Sequence, residues 1–159
     1  MRHILLPSSP NTLVLIDDED FDRVNEYSWH INKYVEAVIY NKMKKKYFNT
    51  LLHRFIMNAQ KDQRIDHIDR NPFNNQKSNL RPCTNQQNLW NTALPKHNTS
   101  GYKGVSWCKR DKRWYSAIIL KGKHIHLGCF TDKYNAFLAY EAKAKELRGE
   151  FYRPQIWVG

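Results

Sequence analysis

Between Arg64 and Asn91 the chain reads RIDHIDRNPFNNQKSNLRPCTNQQNLWN. Within this span Asp66 and His67 are adjacent, Asn79 follows His67 by twelve residues, and Asn88 follows Asn79 by nine. A neutral imidazole accepts a proton from water near neutral pH, which makes His67 a candidate general base. The Asp66 carboxylate and the Asn88 amide oxygen are hard donors of the kind that hold magnesium or manganese. Asn79 offers an amide oxygen that can accept from the imidazole and fix its ring, as the third member of a triad does. Asn91, one helical turn past Asn88, is an alternative ligand. The chemistry such a set supports is metal-assisted hydrolysis of a phosphodiester. Taken singly, an Asp-His pair reads as a surface turn and NPFNNQKSN as loop; the joint spacing favours a site. His53, a helical histidine among apolar neighbours in LLHRFIM, reads as structural, and Arg54 beside it as a phosphate contact.

These residues need elements to position them. Residues 3–6 and 12–16 are apolar runs around a Ser-Ser-Pro-Asn turn and predict a hairpin. The acidic stretch Asp17 to Asp22 leads into one short helix carrying Phe21 and Val24. Tyr34 to Tyr40 and Lys46 to Asn49 predict two strands joined by the basic turn Asn41 to Lys45. Leu51 to Met57 predicts a short helix with one apolar face. Neighbouring strand residues point to opposite faces, so Asp66 and His67 share one site only where their strand ends or bends, and Asn71-Pro72 marks that loop. Thr84 is placed to cap a helix that begins at Asn85.

The arrangement resembles the HNH nuclease family, in the branch found among phage and intron-encoded homing endonucleases. The resemblance rests on LLHRF, DHIDRNPFNN, SNLRPCT and QQNLWN and covers roughly residues 1–93. It implies a ββα-metal fold with His67 as general base, Asp66 and Asn88 as ligands to magnesium or manganese, and Asn79 orienting His67. Where the family name has a final histidine, this chain has Asn88. The resemblance also implies a phage-encoded protein acting on double-stranded DNA in the host cytoplasm.

Past a polar linker at residues 94–99 the pattern changes. Val105 to Cys108, Trp114 to Leu120 and Lys123 to Phe130 predict three strands. A helix from Asp132 to Arg148 follows, capped by Thr131 and stopped by Gly149. Ala136, Tyr140, Ala144 and Leu147 make its packing stripe. Alternation sets Trp114, Ser116 and Ile118 on one face of the middle strand, and Tyr115, Ala117 and Ile119 on the other. Residues 100–159 resemble the DNA-binding domain of plant APETALA and ethylene-response factors, through SGYKGVSW, KRWYSAI, HIHLGCF and TDKYNAFLAYEAKAKELRGE. That resemblance implies a three-stranded antiparallel sheet in the major groove, backed by one helix. It places Lys103, Ser106, Tyr115, Ala117, Ile119, His124 and His126 at DNA-facing positions. Lys103, Lys109, Arg110, Lys112 and Arg113 then grip phosphates, which give affinity without sequence information.

Composition sets bounds on these readings. A chain of 159 residues with a 13% aromatic share holds one medium domain or two small ones and argues against disorder. The net charge of +11 is uneven: residues 1–50 are balanced, and residues 99–159 hold twelve Lys/Arg against five Asp/Glu. Such a surplus points to a polyanionic partner. No apolar run approaches a membrane span, the N-terminus is too short in apolar residues for a signal peptide, and no basic amphipathic helix is evident. No protein partner is predicted. Cys83, Cys108 and Cys129 form no CxxC pair and read as free thiols of a reducing compartment. The expected protein is an α+β, two-domain, metal-dependent DNA endonuclease, nicking as a monomer. The competing readings are a DNA-binding regulator with a decayed nuclease domain and a structured-RNA binder.

Overall fold

The computed structural model describes residues 2–6 and 9–155, with Leu5 described by its backbone alone. The chain divides into two compact units, Met1–Asn85 and Gln86–Gly159. The division falls earlier than the linker expected at residues 94–99.

In the first unit, β1 (Arg2–Leu6) and β2 (Ser9–Ile16) form the expected antiparallel hairpin, with Arg2 opposite Ile16. Pro7 and Ser8 of the expected turn lie outside the described residues. A 3-10 turn at Asp18–Asp20 leads into α1 (Phe21–Asn25). A three-stranded sheet follows, ordered β3 (His30–Ile31), β4 (Val35–Asn41), β5 (Lys46–Leu51), and β5 runs straight into α2 (Leu52–Ile56). Two residues of strand leave too little pattern to read, so β3 was not foreseen. Then β6 (Arg64–His67) and β7 (Leu80–Cys83) pair antiparallel, with Asp66 opposite Arg81 and His67 opposite Leu80. One core joins these pieces. Ile4, Val14, Ile16, Val24, Trp29, Val35, Leu52 and Ile56 are buried in it, and Ile65 and Leu80 anchor the β6–β7 hairpin to it. Burying an aliphatic side chain of this size contributes roughly 1.5–3 kcal/mol. Trp29 donates its indole N–H to the carbonyl of Val24 at 2.8 Å, so its polar atom is satisfied inside the core.

In the second unit, α3 (Asn85–Trp90) precedes a sheet ordered β8 (Val105–Cys108), β9 (Arg113–Leu120), β10 (Lys123–Phe130), and α4 (Lys133–Arg148) covers one face. The predicted strand–strand–strand–helix order is present. Ala136, Phe137, Tyr140 and Ala144 are buried against Val105 and Ile118, with Trp114 and Phe130 partly buried beside them. The helix cap differs from expectation. Asp132, not Thr131, is the N-cap, its carboxylate accepting from the amide of Asn135 at 2.9 Å. A carboxylate there also favours the helix dipole. Gly104 has φ +69°, and a Cβ on it would meet the Tyr140 ring at 2.1 Å, so helix and sheet close together only over a glycine. The three cysteines are free thiols. No helix among the described residues is long and apolar enough to cross a membrane.

Candidate active site

The β6–β7 hairpin brings Asp66, His67 and Asn79 together, and all three are buried. The twelve residues between His67 and Leu80 form a loop tied down by side-chain amides, two carboxylates and backbone bonds. The amide N–H of Asp69 donates to Asn79 Oδ1 at 3.0 Å. Asn79 Nδ2 returns a bond to Asp69 Oδ1 at 2.9 Å and donates to the carbonyl of Asn74 at 2.8 Å. Asp69 also accepts from the amide of Asn71 and from Asn74 Nδ2, both at 2.8 Å. Burial pushes the Asp69 carboxyl up, but the bonds from Asn71, Asn74 and Asn79, with His67 nearby, outweigh it and hold the group below its ordinary range. The loop is pinned to β2 as well. Leu15 N–H donates to the carbonyl of Phe73, and Asn75 N–H to the carbonyl of Leu15, each at 2.8 Å. Asp17 accepts from Gln76 Nε2 and from the amide of Lys77, so the acidic stretch after β2 anchors the loop's far end.

Asn75 was not foreseen. It is 1% exposed, and its Oδ1 lies 3.2 Å from His67 Nε2. Asn75 Nδ2 donates to the carbonyl of Pro72 at 3.2 Å, which fixes the amide orientation and turns the oxygen to the imidazole. An amide oxygen only accepts, so Nε2 carries the proton and the lone pair of a neutral ring sits on Nδ1. Burial lowers the pKa of His67, against the opposing pull of the Asn75 bond and of Asp69 and Asp66. The ring is therefore neutral near pH 7. In the sequence Asn75 looked like one more turn former in NPFNN. Asn75 meets the ring itself, while Asn79 holds the loop that follows His67.

His53 was read as structural, and the structure buries it beside His67. It is buried on α2, with its ring 4.9 Å from that of His67 in an edge-on contact. Tyr34 completes the cluster, 5.6 Å from His53 and stacked at 6.4 Å on His67. Burial first, then the charges of His67 and Arg54, push the His53 pKa down to about 3. Asp66, on the same strand as His67, is paired with Arg81 from β7: Nε and Nη2 donate to Oδ2 at 3.1 and 2.9 Å. Arg81 was not singled out in the sequence, although the β6–β7 register sets it directly opposite Asp66.

Several expected positions fall elsewhere. Arg54 donates to the carbonyls of Gln60 (2.7 Å), Lys61 (3.2 Å) and Gln63, so its guanidinium braces the turn after α2 instead of being presented to a phosphate. Asn88 is half-buried on α3 in the second unit, and Asn91 there is buried. Lys103 precedes β8 and its ammonium donates to the carbonyls of Trp90 and Thr92, capping the end of α3 instead of lying on the sheet. The sheet face itself matches the alternation. Ser106 pairs with Tyr115, Ala117 with His126 and Ile119 with His124, and this face is turned away from α4. Lys109, Arg110, Lys112 and Arg113 are exposed in and beside the β8–β9 turn. Asp111 is the acid among them, accepting from Arg110 Nε at 2.9 Å and from the Tyr115 hydroxyl, which raises the tyrosine pKa. His124 and His126 are exposed, the latter edge-on to Tyr115 at 5.4 Å.

The β6–β7 hairpin thus holds a buried neutral histidine beside a carboxylate, braced by asparagines. The chain is 32% identical over 157 residues to a protein named as an uncharacterised HNH endonuclease of Acanthamoeba polyphaga mimivirus, covering 94% of this chain and 78% of that one. It is 39% identical over 89 residues to protein 3.8 of Escherichia phage T7, covering 56% of this chain and 73% of the relative. No protein-family profile and no solved structure matches the chain. The chain belongs to the HNH endonuclease family.

Proposed function

We propose that this protein is a metal-dependent homing-type DNA endonuclease that nicks duplex DNA as a monomer, acting in the cytoplasm of a phage host. The observation that supports it most is the neutral His67, whose Nε2–H is held by Asn75 so that Nδ1 is the basic nitrogen. In this reading Nδ1 takes a proton from a water whose oxygen attacks phosphorus. The P–O3′ bond breaks, leaving a 3′-hydroxyl and a 5′-phosphate. Asn79 positions His67 by locking the 68–74 loop, and the apolar wall of Tyr34 and His53 keeps the ring from being protonated.

Asp66 would supply a carboxylate, a hard oxygen donor of the kind that holds magnesium or manganese. When bound, such a cation neutralises charge on the phosphate and the leaving oxygen. Arg81, already on Asp66, is a cation that holds this carboxylate in place.

The second unit, in this reading, is an APETALA/ethylene-response-factor-type DNA-binding domain. Lys109, Arg110, Lys112 and Arg113 contact phosphates, and Tyr115, His124 and His126 face the bases. The exposed, helix-free side of the three-stranded sheet supports it, since basic strands can enter the major groove. Incubation with supercoiled plasmid tests the whole reading. Open circles form with magnesium and not with chelator. Plasmid that stays supercoiled across magnesium and manganese points to a DNA-binding protein that does not cut.

A further inference from the structure

The β4–β5 hairpin reaches beyond the core. Val35 and Ala37 are buried, but every residue from Asn41 to Asn49 is exposed. Register sets Ile39 opposite Phe48 on the core-facing side and Tyr40 opposite Tyr47 on the other. Both sides are open at the far end: Phe48 is 42% exposed, Tyr40 46%, Tyr47 71%, Val38 61%, and Met43 at the tip 94%. Folding does not account for this, because exposed apolar side chains on both faces of a ribbon contribute little to a core. The tip carries Lys42, Lys44, Lys45 and Lys46, and no Asp or Glu occurs from Ala37 to Lys61. Among the described residues none of these four ammonium groups enters an ion pair. Lysine on an edge strand deters strand pairing, yet that role does not call for Tyr47 and Met43 in solvent beside it.

We propose that this ribbon is a second duplex-DNA contact, built into the catalytic unit and independent of the basic sheet of the second unit. Two strands fit a major groove about 12 Å wide. Four lysines supply phosphate contacts, and the paired tyrosines Tyr40 and Tyr47, 5.0 Å between ring centres and tilted 53° to each other, present an amphipathic surface between them. The ribbon's base is also the wall of the site. β5 continues into α2, which carries His53 against His67. The six residues of β5 span about 20 Å, the rise of roughly six base pairs. A duplex at His67 is therefore within the ribbon's reach, which favours DNA over a membrane surface as its partner. The inference rests on the proposed DNA-cleaving function.

The test uses the full chain with Lys42, Lys44, Lys45 and Lys46 all changed to Gln. Duplex affinity is measured from about 0.05 to 0.2 M salt, beside the wild type and a Lys112→Gln/Arg113→Gln control. The slope of log K against log salt should fall by up to about 3.6, at about 0.9 per phosphate contact. Because a variant can perturb the hairpin, wild-type lysines are also acetylated with and without duplex and read by mass spectrometry. Duplex should protect Lys42, Lys44, Lys45 and Lys46. An unchanged slope and no protection, in a wild type that binds and cuts DNA, overturns the ribbon alone. A wild type that binds no duplex overturns the proposed function and the ribbon with it. Protection by phosphatidylserine vesicles and not by duplex assigns the ribbon to a membrane surface and overturns the proposal.

Discussion

The loop between β6 and β7 and the open face of the β8–β10 sheet are both polar, but they are built in opposite ways. Around His67 the amides of Asn75 and Asn79 are buried, and each is held by two or more partners. On the sheet face Lys109, Lys112 and Arg113 extend into solvent, and Asp111 with Arg110 and Tyr115 forms an exposed cluster. A reacting nitrogen has to be fixed before substrate arrives, because misplacement is costly in rate. Phosphate contacts need reach and positive charge more than a fixed geometry. Substitutions in the loop should therefore act on rate and stability together, and substitutions on the face should act on affinity and its salt dependence.

The largest loop effect is expected from Asp66→Ala. It removes the one carboxylate proposed as a metal ligand and breaks the Asp66–Arg81 ion pair. Cleavage should fall below detection at millimolar magnesium while duplex affinity stays within a few-fold, measured on the same DNA by gel assay and fluorescence anisotropy. Near wild-type cleavage by this variant removes Asp66 from the metal site. Asn75→Ala comes next. It takes away the acceptor that sets the His67 tautomer, and losses of roughly 10- to 100-fold accompany removal of such partners. It also empties a buried hydrogen-bonded position, at about 1–3 kcal/mol. Thermal melting and single-turnover cleavage read the two effects separately.

How much of this was legible follows from what each signal depends on. Asp66, His67 and Asn79 were readable because their order and spacing carry the pattern. Asn75 was not, because its role depends on a fold-back of the 71–75 loop onto β2 that no local periodicity announces. The two faces of β9 followed from strict alternation, and the buried Ser116 and Ile118 bear it out. Lys103 read as a DNA contact through the resemblance and Arg54 as a phosphate contact, yet carbonyls at the ends of α3 and α2 accept from both. The division at Asn85 had no compositional marker, since the Pro- and Gly-containing stretch lies further on.

A third prediction concerns acid. The unfolded chain's imidazole at position 53 takes a proton near pH 6.5, but the folded one only near 3. Between those values the unfolded state binds more protons, so stability is full above about pH 6.5 and falls as pH drops towards 3. His53→Phe should flatten the dependence of melting temperature on pH across that window, leaving the shallower contribution of His67. An equally steep profile in the variant places the acid sensitivity elsewhere. The smallest effect is expected on the sheet face. Lys112→Gln with Arg113→Gln should lower the slope of log K against log salt by about two units, with cleavage at saturating DNA and melting temperature unchanged. A change in melting temperature instead shows that these side chains support the fold.

The central claim is that His67 is the general base, and the single-turnover cleavage rate of His67→Ala against wild type, both saturated with the same duplex in magnesium, tests it most directly. The account predicts a rate lower by about 100- to 10,000-fold with affinity unchanged; a His67→Ala protein that cuts at the wild-type rate contradicts it.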